Sequence, residues 1–339
     1  MGKKISELTI ASTPYEGEEL FAMVEDNATV AAPISSFQSF LSGQDHLASP
    51  FKNNRFACTQ TFLGAISGMS TLTVGTVATH TNTGTVATIA RGRDNTVSGD
   101  CGIVGGGCGN SVTGADGVVG GGEGNTVSAG CGSVLGGRSN TASTGDATVG
   151  GGVSNTSSGC GSTVAGGRSN TTSGSHSYSV GRENTTSGDC STIAGGLGNT
   201  VTGDIATIAG GKTNQARGDY SSLVGGLSSC AIGKASFVGG GTCNCVTGLS
   251  AFAGGGHINK VTGAASSIVG GSTNTASGSG AFIGGGSGSS ATQKESFVGG
   301  GASNTSSAAC SVVAGGESNT SSGAYAVIGG GKSNTASAT

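Results

Sequence analysis

Two cysteines, Cys230 and Cys245, stand fifteen residues apart in this chain, and two carboxylates, Asp189 and Asp204, share the same interval. The thiols could close a disulfide if the fold brings their Cα atoms within about 7 Å. The carboxylates could serve as acid and base in sugar cleavage, which needs about 5–9.5 Å between them. Acidic residues near turns are more often simply solvated, and no catalytic residue is expected. His46, His80, His176 and His257 fall in unrelated registers with no Cys or carboxylate at ligand spacing, so neither a metal nor a cofactor is expected. The ten cysteines contain no CxxC pair, and Cys243-Asn244-Cys245 is too isolated for a zinc site of about four ligands. The glycine clusters lack the G-x-x-x-x-G-K-[ST] phosphate loop. No Ser-His-Asp set follows from residue order alone.

The interval of fifteen belongs to a repeat. With the asparagine of GG-x-x-N-T as position zero, the column reads Asn95, Asn110, Asn125, Asn140, Asn155, Asn170, Asn184, Asn199, Asn214, Ser229, Asn244, Asn259, Asn274, Ser289, Asn304, Asn319 and Asn334. Every step is 15 residues except the 14 from Asn170 to Asn184. Position −3 is glycine in each of the 17 repeats, from Gly92 to Gly331. Position −6 is Val, Ile or Leu in all but two, Tyr178 and Ala253. Tyr178 sits in the short repeat, where Val180 is expected to take its place inside. Position −8 is nearly always Gly, Ala or Ser, and +2 is Val, Ala, Ser or Thr.

Positions −8 and −6 alternate with period two, as do 0 and +2, which predicts two short strands per coil. The glycines at −4 and −3 are expected to make one turn and a glycine near +4 (Gly99, Gly114, Gly159, Gly203) the other, because glycine alone takes positive φ without strain. Coils stacked about 4.8 Å apart turn the Asn column into a ladder of amides. The predicted fold class is all-β: a parallel β-solenoid of 15-residue coils over 86–339, behind a small α+β N-terminal anchor.

Composition agrees. Glycine accounts for 70 of 339 residues, aromatics for 4 %, and tryptophan is absent, so a wide core cannot be filled and a thin stack can. Net charge is −3 and the sequence shows no basic patch, so no nucleic-acid partner is expected. No apolar run approaches the ~18 residues of a membrane span, and no membrane insertion is expected. The start, Met1-Gly2-Lys3-Lys4-Ile5-Ser6-Glu7-Leu8, is not a secretory signal, though it fits the short myristoylation pattern. Free thiols, Cys230 and Cys245 included, are therefore the expectation. Columns +1 and +3 place Thr96/Ser98, Thr126/Ser128, Thr141/Ser143 and Thr171/Ser173 in a hydroxyl array like an ice-binding face, interrupted at Gln215/Arg217 and Cys230/Ile232. Thr and Ser are also ordinary outward strand residues.

The pattern V-x-G-G-x-x-N-T-x-S-G resembles the head repeats of trimeric autotransporter adhesins, and still more the related repeats of tailed-phage fibres. The resemblance covers about residues 89–339 and implies a left-handed parallel β-roll associated as trimers. The chain departs from the adhesins in lacking an export signal, a heptad stalk and a C-terminal membrane barrel. Position −7, which should point outward, holds Ile103, Val118, Phe237, Phe252, Phe282, Phe297, Val312 and Val327. Exposed apolar stripes mark interfaces, so these are the candidate trimer contacts; scattered surface apolars and a ligand groove are the alternatives.

Residues 1–42 differ in composition. Glu18–Glu25 reads as a strand, Asp26-Asn27 as a turn, and Ala28–Ala31 as its returning partner. Residues 34–41 form a predicted short helix with Phe37, Phe40 and Leu41 on one face. The order K-K-I-S-E-L … G-E-E-L-F-A-M-V-E-D-N-A-T … I-S-S-F-Q-S-F-L resembles a segment at the N-termini of phage structural proteins, where it docks a fibre to the particle. That resemblance implies Leu8, Leu20, Val24, Phe37 and Leu41 as packing residues of a docking module; a cap that nucleates trimers is the alternative. Residues 43–85 form an adaptor, with Phe51, Phe56, Phe62, Leu63 and Ile66 as its packing, and Leu72–Val77 alternates like a strand leading into the first coil.

The functional expectation is a non-enzymatic virion component made in the host cytoplasm. It would be a trimeric phage fibre or appendage, held by its N-terminus and serving as stiff spacer or adsorption surface. Expected partners are two further copies, virion proteins, and a host-surface glycan or protein. A bacterial adhesin head and a polysaccharide-degrading tailspike are the alternatives. Because the repeat runs to Ala338-Thr339 without an atypical cap, either a further tip or a bare end is expected.

Overall fold

The computed structural model describes residues 80–338 in full, together with the backbone of Leu20–Glu25, Ala28–Pro33 and Thr71–Thr73. The chain divides into two compact units, Met1–Met69 and Ser70–Thr339. No helix occurs among the described residues.

In the first unit, Leu20–Glu25 pairs antiparallel with Ala28–Pro33, in register from Leu20↔Pro33 to Glu25↔Ala28. This is the predicted hairpin. Of the docking candidates, Leu20 and Val24 fall on its first strand, while Leu8, Phe37 and Leu41 lie outside the described residues, as do the helix at 34–41 and the adaptor phenylalanines.

The second unit is a parallel β-solenoid. Each coil contributes a two-residue strand at −7/−6 to one face and another at +1/+2 to a second. Val104 pairs with Val119 and Val119 with Val134, a single interior file. Thr126–Val127 pairs in the same way with Thr141–Ala142. A third line of bridges joins the residues at −2, from Arg93↔Cys108 to Glu317↔Lys332. Thr71–Thr73 pairs with Ala87–Ile89 and so leads into the first face, as its alternation predicts. The strands form because period-two alternation puts −8, −6, 0, +2 and +4 inside. Val104, Val112, Val119 and Val127 have no exposed surface. Burying such a side chain contributes about 1.5–3 kcal/mol, and every coil but the 14-residue one supplies one or two.

The turns are made differently from expectation. Gly122 and its equivalents at −3 do take left-handed φ, +95° at Gly122. The glycines at +4 do not. Gly99 and Gly114 are needed for close approach instead, because a Cβ on either would collide with the backbone carbonyl of the same position one coil on. The left-handed residues of that corner stand at +6, among them Cys101, Asp116, Cys131, Ile205 and Tyr220. A second left-handed column stands at −1, at Asp94, Ser139 and Ile258 among others. Most carry side chains, and β-branched ones such as Ile205 and Ile258 pay about 1–2 kcal/mol for it. The coil-to-coil hydrogen bonds hold them there.

The Asn ladder is directional. Asn125 Oδ1 accepts the backbone N–H of Asn140 at 2.9 Å. Its Nδ2 donates to the Gly121 carbonyl in its own coil (2.8 Å) and to the Gly137 carbonyl in the next (2.9 Å). One side chain thus serves three backbone groups of two turns, two of which have no other partner and one of which, the Gly137 carbonyl, also accepts the Glu123 N–H. Ser229 and Ser289 supply the acceptor, at 3.2 and 3.3 Å from the next Asn N–H, but no donor to the two turn carbonyls. His80 was expected to stand in no related register, yet it occupies the ladder position below Asn95 and accepts its N–H through Nδ1 at 3.2 Å.

The 14-residue coil corrects another expectation. Val164 pairs with Ser179, not Val180, and the register shift falls between Val164 and Gly166. The missing residue lies between strand and turn, so Ser179 goes inside and Tyr178 out. Around it the interior is polar: Thr172 and Ser179 share a 2.6 Å hydrogen bond, and the buried Thr186 hydroxyl has no partner. The apolar core consequently splits into two clusters, Ala87–Val164 and Ile193–Ile328.

Candidate functional site

The −7 column faces outward, as alternation requires. Ile103, Phe252, Phe297 and Val327 are exposed, Val327 to 66 %, and Val118, Phe237, Phe282 and Val312 are half-buried. Phe237 stacks on Phe252 with ring centroids 5.3 Å apart and planes 4° apart; Phe282 stacks on Phe297 at 5.2 Å and 9°. These rings lie over glycine. A Cβ on Gly239, Gly254, Gly284 or Gly299, at −5, would come within 3.3–3.6 Å of the ring on its own coil. Where −7 is serine, at Ser133, Ser222 and Ser267, position −5 instead carries the exposed Leu135, Val224 and Val269. The apolar group shifts along the strand without leaving the face. Sequence reasoning missed these three because −7 was read without −5. Between them, Thr148, Thr163, Thr192 and Thr207 give the middle coils a hydroxyl surface.

Asp189 and Asp204 stack at the +5 corner, with Asp219 beyond. Asp204 Oδ1 accepts the N–H of Asp189 (2.9 Å), Asp219 Oδ1 that of Asp204 (3.2 Å), and Asp189 Oδ1 that of Ser175 (2.8 Å). Each carboxylate here caps the coil before it. Asp100 does the same for Thr85 at 2.8 Å, and that hydrogen bond holds its carboxyl below the usual carboxylate range.

Cys230 and Cys245 are register partners with Cα atoms 4.7 Å apart, and they are bridged as a disulfide. The expectation of free thiols at this pair is therefore corrected: stacking at the strand spacing puts them in bonding range. Cys101, Cys131, Cys160 and Cys190 are free and exposed. His176 stands at the +6 corner and His257 in the −2 line, and no group of three metal-ligating side chains occurs among the described residues. The +1 hydroxyls from Thr126 to Thr200 stack in register, and the array is broken over Gln215, Cys230, Cys245 and Lys260.

One surface was not legible as a run. Arg138, Arg168, Arg182 and Lys212 all fall in the −2 line, and Arg168 and Arg182 are direct register partners. The chain has no basic cluster in sequence because these residues lie 14 to 30 apart; coiling stacks them. Among the described residues only Arg182 of the four has an ion pair, to Glu183 at 3.0 Å. Comparison with protein-family models and with curated proteins finds no match for this chain.

Proposed function

We propose that this chain is a structural fibre component: a trimeric phage virion fibre or appendage, anchored through its N-terminal segment, whose solenoid serves as rigid spacer and adsorption surface. The observation that carries the reading is the outward apolar face at −7 and −5, with phenylalanine rings laid over glycine and open to a partner. Exposed apolar stripes of this extent usually cover an interface. The resemblance of the repeats to phage fibres and adhesin heads supplies the trimer, and that of residues 1–42 the docking role. Carboxylates engaged with backbone amides support a role without catalysis. Several copies per particle would add weak contacts through high effective concentration.

The test is the mass in solution. A trimer gives three times the 32.0 kDa chain, and Phe252→Glu with Phe282→Glu should dissociate it without unfolding the coils. A monomeric parent chain would overturn the assembly. A label on the N-terminus, imaged on whole particles, locates the attachment point; particles without label would overturn the virion assignment.

A further inference from the structure

Apart from the Arg182–Glu183 pair, and Glu123 stacked one coil before Arg138, the cation row on the −2 line has no acidic partner inside the described residues. Stacking like charges at one-coil and two-coil steps, about 4.8 and 9.6 Å, costs repulsion. The acidic stack on the opposite corner differs, since its carboxylates accept backbone N–H groups. Arg138, Arg168 and Lys212 point into solvent and have no carboxylate within ion-pair distance among the described residues. Their charge stands out further in a chain whose net charge is −3.

The ground around the row suits a linear polymer. Positions −4 and −3 are glycine in nearly every one of these coils (Gly136-Gly137, Gly151-Gly152, Gly166-Gly167, Gly210-Gly211), so a floor without side chains runs beside the cations. The −1 column adds Ser139, Ser154, Ser169 and Thr213 as hydroxyl donors and acceptors along the other side, interrupted by Gly198 and by Glu183, which pairs with Arg182. No aromatic side chain stands on these columns between Gly136 and Thr213. Stacking platforms for nucleic-acid bases are therefore missing.

We propose that the −2 line from Arg138 to Lys212 binds a linear acidic polysaccharide, lying along the solenoid axis with its carboxylate or sulfate groups on the cations and its hydroxyls on the serine column. This deepens the adsorption-surface reading by naming the class of ligand, yet it fails separately: the row can lack glycan affinity while trimer and particle attachment hold, and the reverse. Guanidinium groups suit the task because they grip carboxylate and sulfate in a bidentate manner.

The experiment uses the full chain against immobilised heparin oligosaccharide, polygalacturonate and neutral dextran. Binding is expected to the two acidic polymers and not to dextran, weakening as salt rises. Arg168→Gln with Arg182→Gln should weaken it about tenfold or more, a difference of about 1.4 kcal/mol. Lys260→Gln with Lys294→Gln, exposed cations on other columns, should leave it unchanged. Circular dichroism checks that the coils persist. Undiminished affinity in the Arg168/Arg182 variant overturns the site, as does the absence of binding to both acidic polymers. Tighter binding to a single-stranded oligonucleotide of matched charge overturns the choice of ligand. If instead the variant loses oligomer mass and keeps its glycan affinity, the row belongs to a contact between copies and the proposal falls.

Discussion

Asn95 receives the backbone N–H of Asn110 on its side-chain oxygen, at 2.9 Å, and Asn110 receives that of Asn125 in turn. The interval of fifteen is thus written into hydrogen bonds as well as into strand pairing.

Removing one such amide should be expensive. Asn125→Ala leaves the buried Asn140 N–H without its acceptor and takes a donor from the Gly121 and Gly137 carbonyls, the latter still bonded to the Glu123 N–H, and about 2 kcal/mol of stability should be lost. Ser229→Asn restores the missing donors at a natural gap and should gain about 1 kcal/mol. Denaturant midpoints of the two variants are expected on opposite sides of the parent.

Adjacent glycines should respond oppositely to the same change. A Cβ on Gly122 would collide with the Gly137 carbonyl, at a φ of +95°, whereas a Cβ on Gly121 has only the Gly106 carbonyl near it, at 3.9 Å. Gly122→Ala should cost about 3 kcal/mol or more and Gly121→Ala within about 0.5 kcal/mol of nothing. Equal melting temperatures for the pair would contradict the close approach.

The polar stretch that divides the core should be improvable. Thr186→Val removes a buried hydroxyl that has no partner and keeps the side-chain shape. About 1 kcal/mol of stabilisation is expected, read by thermal unfolding. A destabilised variant would mean that the hydroxyl is satisfied in solution.

Acid should loosen the Asp100 cap. Its pKa is lowered by the Thr85 N–H, so the folded value lies below the unfolded one. The contribution is present above the unfolded carboxylate range and is lost as pH falls through the folded value. Thr85 amide protection should therefore decline on acidification in the parent relative to Asp100→Asn, whose acceptor does not titrate.

Much of this fold could be read directly, because a period repeated seventeen times averages away local ambiguity. The interior file of Val104, Val119 and Val134 and the hairpin from Leu20 to Pro33 followed from alternation and turn chemistry. Three features did not. The role of the +4 glycines depends on how closely neighbouring coils approach, which no single coil encodes. Ser179 enters the core because the deleted residue falls after the strand, and the expectation of Val180 there failed because the gap alone does not fix which side chain turns inward. Arg138, Arg168, Arg182 and Lys212 become neighbours only once the coils are stacked, whereas the approach of Cys230 to Cys245 followed from their fifteen-residue interval and only their bonding did not.

The in-register stack also makes length a property of copy number. Excising residues 126–140 joins Asn125 to Thr141, and Asn125 then meets Asn155 where it had met Asn140. Such a shortened chain is expected to unfold cooperatively at a midpoint nearer the parent's than that of Gly122→Ala. Loss of fifteen residues would then be milder than gain of one methyl group. A gene of this kind can lengthen or shorten by unequal exchange between its own repeats, and its product stays foldable at each step.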